Sequence, residues 1–183
     1  QLGYQINYNS RVGAVILRSW DYQGPDPDFA SPEPPQLPAN LPRWGTLADI
    51  PVFAQLWPAE NIVAGYFTSV ANSAVPRNQN ILLSCNKLNG IIVNPGEILS
   101  FNQTVGRRTA QAGYQLAPVI VGKRLVPGIG GGVCQTSSTL YNSLLESQLQ
   151  VVERYPHSLR ISYVPANRDA TVSWGGADLK FRN

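Results

Sequence analysis

Cys134 stands just after three glycines, Gly130, Gly131 and Gly132, and opens the stretch VCQTSSTLYNSLLE. Leu140, Tyr141, Leu144 and Leu145 form one apolar stripe there, with Val133 one face-repeat earlier, so the stretch is predicted to be a helix. A cysteine where a helix begins faces unpaired backbone N–H groups and about half a positive charge. Thiolates so placed have pKa values of roughly 3.5 to 7.5. The glycines let backbone approach closely and leave room for a ligand, and the N–H groups of loop and helix could form an oxyanion hole. A thiol nucleophile also needs a base and a group that orients the base. The chain has one histidine, His157, and Asp169 follows it. The chemistry this set could do is acyl transfer: Cys134 attacks, His157 takes and returns the proton, and Asp169 holds the imidazole. Gln135 and Ser158 are additional polar candidates for binding.

Other readings of the same residues compete. A lone histidine in a YPHS turn serves as well as a surface polar residue, and Asp169 beside Arg168 as a salt-bridge partner. The glycine loop and helix N-terminus could instead hold an anionic group, with Cys134 as packing. Zinc accepts cysteine, histidine and aspartate, but Cys134, His157 and Asp169 lack the tight paired spacing of zinc motifs, so no metal is expected. GIGGGVCQTS lacks the Gly-Lys-Ser/Thr ending of a P-loop, which argues against a nucleotide, and nothing calls for a cofactor. Cys85 falls between Ile81 and Leu88 at helical spacing, which predicts a buried, inert thiol. Two cysteines are too few for a disulfide scaffold; a Cys85–Cys134 bridge in an oxidising compartment would join a core helix face to a loop exit.

The elements that must position these residues follow from pattern. AVILRSW (14–20), VAGYFTSV (63–70) and PGEILSFN (95–102) read as strands or turn plus strand. TLADIPVFAQLW (46–57) could open a helix capped by Thr46 with Asp49 as an acidic capping-box partner, against the objection of Pro51. NQNILLSCNKLNG (78–90) reads as a helix stopped by Gly90. PVIVGKRLVPG (118–128) reads as a hairpin turning on Gly122-Lys123. LQVVER (149–154), SLRISYV (158–164) and ATVSW (170–174) read as strands, and DLKFRN as a further edge. The fold class is therefore α+β: a small antiparallel sheet packed with a few helices. Cysteine on a helix, histidine on a strand and aspartate near the next strand is the layout of papain-like and transglutaminase-like proteins, an analogy of arrangement.

From Gly24 to Pro42 the chain reads GPDPDFASPEPPQLPANLP, with seven prolines, an extended linker or strap. Residues 1–43 are thus expected to be a strand plus this strap, and 44–183 the main domain. The 183 residues are 43% apolar, with a net charge of +3 and no dense basic patch, which argues against nucleic-acid binding. No apolar run is long enough to cross a bilayer. The chain begins at Gln1 and holds no methionine, so an upstream signal or anchor is expected to have been removed.

The blocks NILLSCNKLNG, VNPGEILSFNQTVGRRT, GYQLAP, GGGVCQTSSTLYNSLL, VVERYPHS, ISYVPANRDATV and DLKFRN, in this order over residues 62–183, resemble VanW-like proteins. Gly130, Gly131, Gly132, Cys134, Gln135, Thr139, Tyr141, Arg154, His157, Ser158, Tyr163, Asp169, Phe181 and Asn183 match the family's blocks, which adds Arg154 and Tyr163 to the binding candidates. Asn167 stands where members often carry glycine; asparagine tolerates left-handed backbone, so the turn is expected to survive. The resemblance implies a bacterial envelope protein, exported or membrane-anchored, from a family named after a glycopeptide-resistance gene cluster whose members often carry peptidoglycan-binding or G5-type modules. It brings no accepted catalytic residues. It implies an extracytoplasmic site, peptidoglycan or a cell-wall peptide as partner, and membrane attachment only through a segment outside this chain. A cysteine hydrolase or transferase acting on cell-wall peptides is the leading expectation, and a non-catalytic cell-wall-binding module the alternative.

Overall fold

The structure, a computed structural model, describes residues 4–9, 14–19, 42–49, 62–71 and 73–183. Alternation of apolar side chains builds its larger sheet. Strands β1 (Tyr4–Asn9), β2 (Ala14–Ser19), β3 (Trp44–Thr46), β4 (Ile62–Thr68) and β5 (Ile92–Val93) lie in the order β3-β4-β2-β1-β5, each pair antiparallel. Ile6, Val15 and Leu17 point from this sheet into the same core as Leu140, Leu144 and Phe181. After β3 a single 3-10 turn, Leu47–Asp49, carries the expected capping-box contact: Asp49 Oδ2 accepts the Thr46 N–H at 2.6 Å. The rest of the helix expected there, like the proline-rich strap up to residue 41, lies outside the described residues.

Helix α1 (Val75–Leu88) begins with Pro76 in its first turn, where a missing N–H costs nothing, and buries Ile81, Cys85 and Leu88. Strand β6 (Ile98–Ser100) runs into the short helix α2 (Phe101–Val105), which the sequence reading missed. Hairpin β7 (Leu116–Val121) and β8 (Arg124–Ile129) turns on Gly122-Lys123 as expected. Helix α3 (Val133–Glu146) follows the glycine loop, and β9 (Gln150–Glu153) and β10 (Lys180–Arg182) complete a second antiparallel sheet in the order β6-β10-β9. The α+β class holds.

Helix α3 packs on β2, β4, β9 and α1, and its polar residues are as buried as its apolar ones. Gln135, Thr136, Ser137, Ser138, Thr139, Asn142 and Ser143 all lie in the interior. Each is hydrogen-bonded, which makes its burial tolerable. Thr139 meets Thr68 at 2.7 Å, Thr136 meets Ser84 at 2.7 Å, and Ser143 donates to the Val15 carbonyl at 2.9 Å.

The helix also organises residues 158–174, where the strands predicted over 158–164 and 170–174 do not form. The alternation in SLRISYV is real up to its last residue: Leu159, Ile161 and Tyr163 are half-buried, Ser158, Arg160 and Ser162 are exposed, and Val164 is buried. No ladder claims the backbone, however. Ser137 Oγ donates to the Ala170 carbonyl at 2.7 Å, the Ala170 N–H donates to Ser138 Oγ at 2.9 Å, and Asn142 Nδ2 donates to the Arg168 carbonyl at 2.7 Å. Side chains of α3 thus replace strand partners. Cys134 is on a helix, but His157 and Asp169 sit in the loops after β9, not on strands, so the papain- or transglutaminase-like layout is not reproduced. No helix among the described residues is long and apolar enough to cross a membrane.

Candidate functional site

The glycine loop is shaped by what presses on it. Gly130 and Gly132 have φ of +86° and +107°, and a Cβ on Gly131 would fall 2.5 Å from the Pro118 carbonyl oxygen. The wholly buried Asn80 of α1 pins the loop: its Nδ2 donates to the carbonyls of Gln115 and Gly131, both at 2.9 Å, and its Oδ1 accepts the Gln115 N–H at 2.7 Å. Close backbone approach is thus a requirement here, and protein fills the Cβ sides of Gly131 and Gly132. Three N–H groups counted toward an oxyanion hole are already engaged: Gly130 with the Gln115 carbonyl, Val133 with that of Gly130, and Gln135 with that of Gly132.

Cys134 occupies the first turn of α3, half-buried against the core, and its Sγ donates to the Val172 carbonyl at 3.5 Å. Burial pushes the thiol up from its ordinary pKa and outweighs the attraction of the Arg108 and Arg77 cations; the Asp169 charge adds to the rise. This corrects the thiolate expected from the helix dipole: the resting sulfur is protonated. Cys85, 1% exposed, touches Thr136 Oγ1 at 3.5 Å and is the buried core thiol expected. The cysteines do not form a bridge.

His157 and Asp169 do come together. His157 Nδ1 and the His157 backbone N–H both lie 2.6 Å from Asp169 Oδ2. Arg154 completes the clamp, its Nη2 3.0 Å from Asp169 Oδ1 and its Nε donating to the Asp169 carbonyl at 2.6 Å. Burial alone would raise the Asp169 pKa, but the two bonds from His157 and the nearby charges hold it below the usual carboxylate range. Arg154 also donates to the carbonyl of Asn167, whose φ of +65° is the left-handed turn expected of that asparagine.

Tyr163 joins the two halves of the site. Its ring meets the His157 ring edge-on at 6.4 Å and lies under the Arg77 guanidinium at 5.7 Å, and its hydroxyl reaches Ser138. Burial and the neighbouring Cys134 raise its pKa. Among the described residues no hydrogen bond joins Cys134 to His157. Gln135 is an interior hub, accepting from Arg77 Nη2 at 2.7 Å and donating to Thr68 Oγ1 at 3.0 Å. The Ser158 hydroxyl donates to the Gly122 carbonyl at the hairpin turn. Among the described residues no group of three His, Cys, Asp or Glu side chains is disposed to hold a metal.

Sequence reasoning missed Arg77, Arg108 and Tyr114, which surround the start of α3. Arg108 lay in view within VGRRT, but only the fold brings it to the glycine loop.

A family model described as "VanW like protein" matches residues 76–183. The chain is 49% identical over 118 residues to the uncharacterized protein YoaR of Bacillus subtilis (strain 168), covering 64% of this chain and 39% of that one. It is 32% identical over 109 residues to the vancomycin B-type resistance protein VanW of Enterococcus faecalis (strain ATCC 700802 / V583), covering 57% of this chain and 40% of that protein. The match thus spans about two fifths of each relative's length. No solved structure matches the chain. With the family model matched across more than half its length, the chain belongs to the VanW-like proteins.

Proposed function

We propose that this domain is a cell-envelope acyl hydrolase or transferase that uses Cys134 on amide bonds of cell-wall peptides. The observation that carries the reading is the His157–Asp169 pair. With Nδ1 committed to an ionised carboxylate, the imidazole offers Nε2 as a proton acceptor, the role of a general base. Because the resting thiol is protonated, the proton moves at the moment of attack. Sulfur bonds to the carbonyl carbon while its proton passes to His157 Nε2. The C–N bond then breaks, and the amine leaves with that proton. Water or an acceptor amine releases the acyl group from the thioester. Substrate binding must bring sulfur and ring into contact, as apo catalytic contacts are often longer than working ones. The cell-wall substrate is supported by the Enterococcus faecalis relative, which is named a vancomycin resistance protein; glycopeptide resistance is a matter of cell-wall chemistry.

The test is incubation with purified muropeptides, followed by mass spectrometry of products and of the Cys134 peptide. An acyl adduct on Cys134, with turnover lost in Cys134→Ala and His157→Ala, is expected. Unchanged product formation by Cys134→Ala would sink the proposal. The buried, protonated thiol favours a second reading, a cell-wall-binding module without turnover; binding of muropeptides undiminished in Cys134→Ser, with no product, selects it.

A further inference from the structure

Two arginines press on the glycine turn. The position a Cβ would take on Gly130 lies 2.8 Å from Arg108 Cβ, and that on Gly132 lies 2.8 Å from Arg77 Cγ. The charges of both reach the Cys134 sulfur. Their partners are neutral. Arg77 donates to Ser73 Oγ and Gln135 Oε1 and covers the Tyr163 ring. Arg108 donates through Nη1 to the Gly106 carbonyl and covers the Phe101 ring at 5.6 Å. Neither forms an ion pair among the described residues.

The carboxylates that could serve are engaged elsewhere. Asp178, whose charge Arg108 feels, accepts from Ser100 Oγ and from the N–H groups of Asn102 and Leu179. Asp169 is held by His157 and Arg154. Among the described residues, two half-buried cations therefore lack anions, a costly arrangement. Among the described residues, two buried donors are also left without partners: Arg108 Nη2, and the hydroxyl of Tyr114. Tyr114 is 2% exposed, its ring packs against the same Gly130 position as Arg108, and its hydroxyl senses the Arg108 charge. A guanidinium nitrogen and a phenol are donors that a carboxylate takes.

We infer that Arg108 and Tyr114, aided by Arg77, bind a ligand carboxylate beside Cys134, so that the substrate is a peptide with a free carboxylate close to the carbonyl under attack. The inference rests on the reading of Cys134 as the reacting group and narrows its substrate class.

A pair of alkylating reagents of the same shape tests it. Iodoacetate carries a carboxylate and iodoacetamide does not; both form a carbon–sulfur bond and release iodide. Ordinary thiols react faster with the amide. At Cys134 the order should invert, iodoacetate leading by about tenfold, the scale of one charge-assisted bond. Millimolar N-acetylglycine should protect Cys134 and N-acetylglycinamide should not. Arg108→Gln should slow iodoacetate far more than iodoacetamide; should that variant fail to fold, the wild-type protection comparison still decides. Faster labelling by iodoacetamide, equal protection by acid and amide, or no labelling of folded protein by either reagent overturns the inference. Cys134-dependent turnover without carboxylate preference would remove this inference and leave the enzyme reading, while preference without turnover would leave a carboxylate-binding site and remove both the enzyme reading and the substrate assigned to it.

Discussion

One oxygen of Asp169 serves His157 twice, meeting the ring Nδ1 and the residue's own backbone N–H at 2.6 Å each. The double contact fixes both the rotation of the imidazole and the path of the chain beneath it. Arg154 on the other carboxylate oxygen makes the arrangement one electrostatic unit.

That unit should dominate the acid sensitivity of the domain. The folded Asp169 pKa lies below its ordinary value, so its contribution is present above the unfolded pKa of about 4 and is lost as pH falls through the folded one. Asp169→Asn should cost about 2 kcal/mol in urea unfolding at pH 7, between the figures for exposed and buried pairs. The difference from wild type should shrink toward pH 3. Equal stability of the two proteins at pH 7 would refute this.

Cys134 should titrate late. Its thiol is pushed up by burial, so iodoacetamide labelling should climb through and beyond the ordinary cysteine pKa of about 8.5. Arg77→Gln should shift the profile further up by removing a cation that stabilises the thiolate. A rate already flat below pH 7 would show a preformed thiolate instead.

The glycines divide into two classes. Gly131→Ala puts a methyl against backbone and should cost about 3 kcal/mol, near the top of the range for overpacking. Gly122→Ala, at φ +59° in open space, should cost only about 1 kcal/mol. Thermal melts of both variants check the order, and a smaller loss for Gly131→Ala would contradict it.

Ser138→Ala removes the oxygen that receives the Ala170 N–H and leaves that donor buried. A loss of about 1–3 kcal/mol is expected. Hydrogen exchange should show the Ala170 amide opening before the amides of α3; unchanged protection there would count against the role assigned to this hydroxyl.

Much of the scaffold was legible because local signals agreed with the final packing. The stripe from Leu140 to Leu145, the Gly122-Lys123 turn and the Ile81, Cys85, Leu88 spacing each state one element without outside help. Helix α1 starts three residues earlier than its periodicity indicated, because Pro76 is at home in a first turn. The loops after β9 were misread because Leu159, Ile161 and Tyr163 alternate as a strand's residues do, while the partners of that segment are side chains of α3, far away in sequence. In the site, pairing of His157 with Asp169 followed from residue chemistry. The protonation of Cys134 did not, since it depends on how deeply the fold buries the sulfur. Arg77, Arg108 and Tyr114 were invisible for the same reason: Arg77 lies in α1, Arg108 and Tyr114 in the loop between α2 and β7, and only the glycine loop they surround unites them.

Strand β10 lies in the middle of its sheet, Phe181 is fully buried, and Asn183 Nδ2 donates to the Val93 carbonyl. A ribosome must therefore deliver residue 183 before β6 and β9 have anything to pair through. A chain halted short of β10 holds β6 and β9 without the strand that joins them.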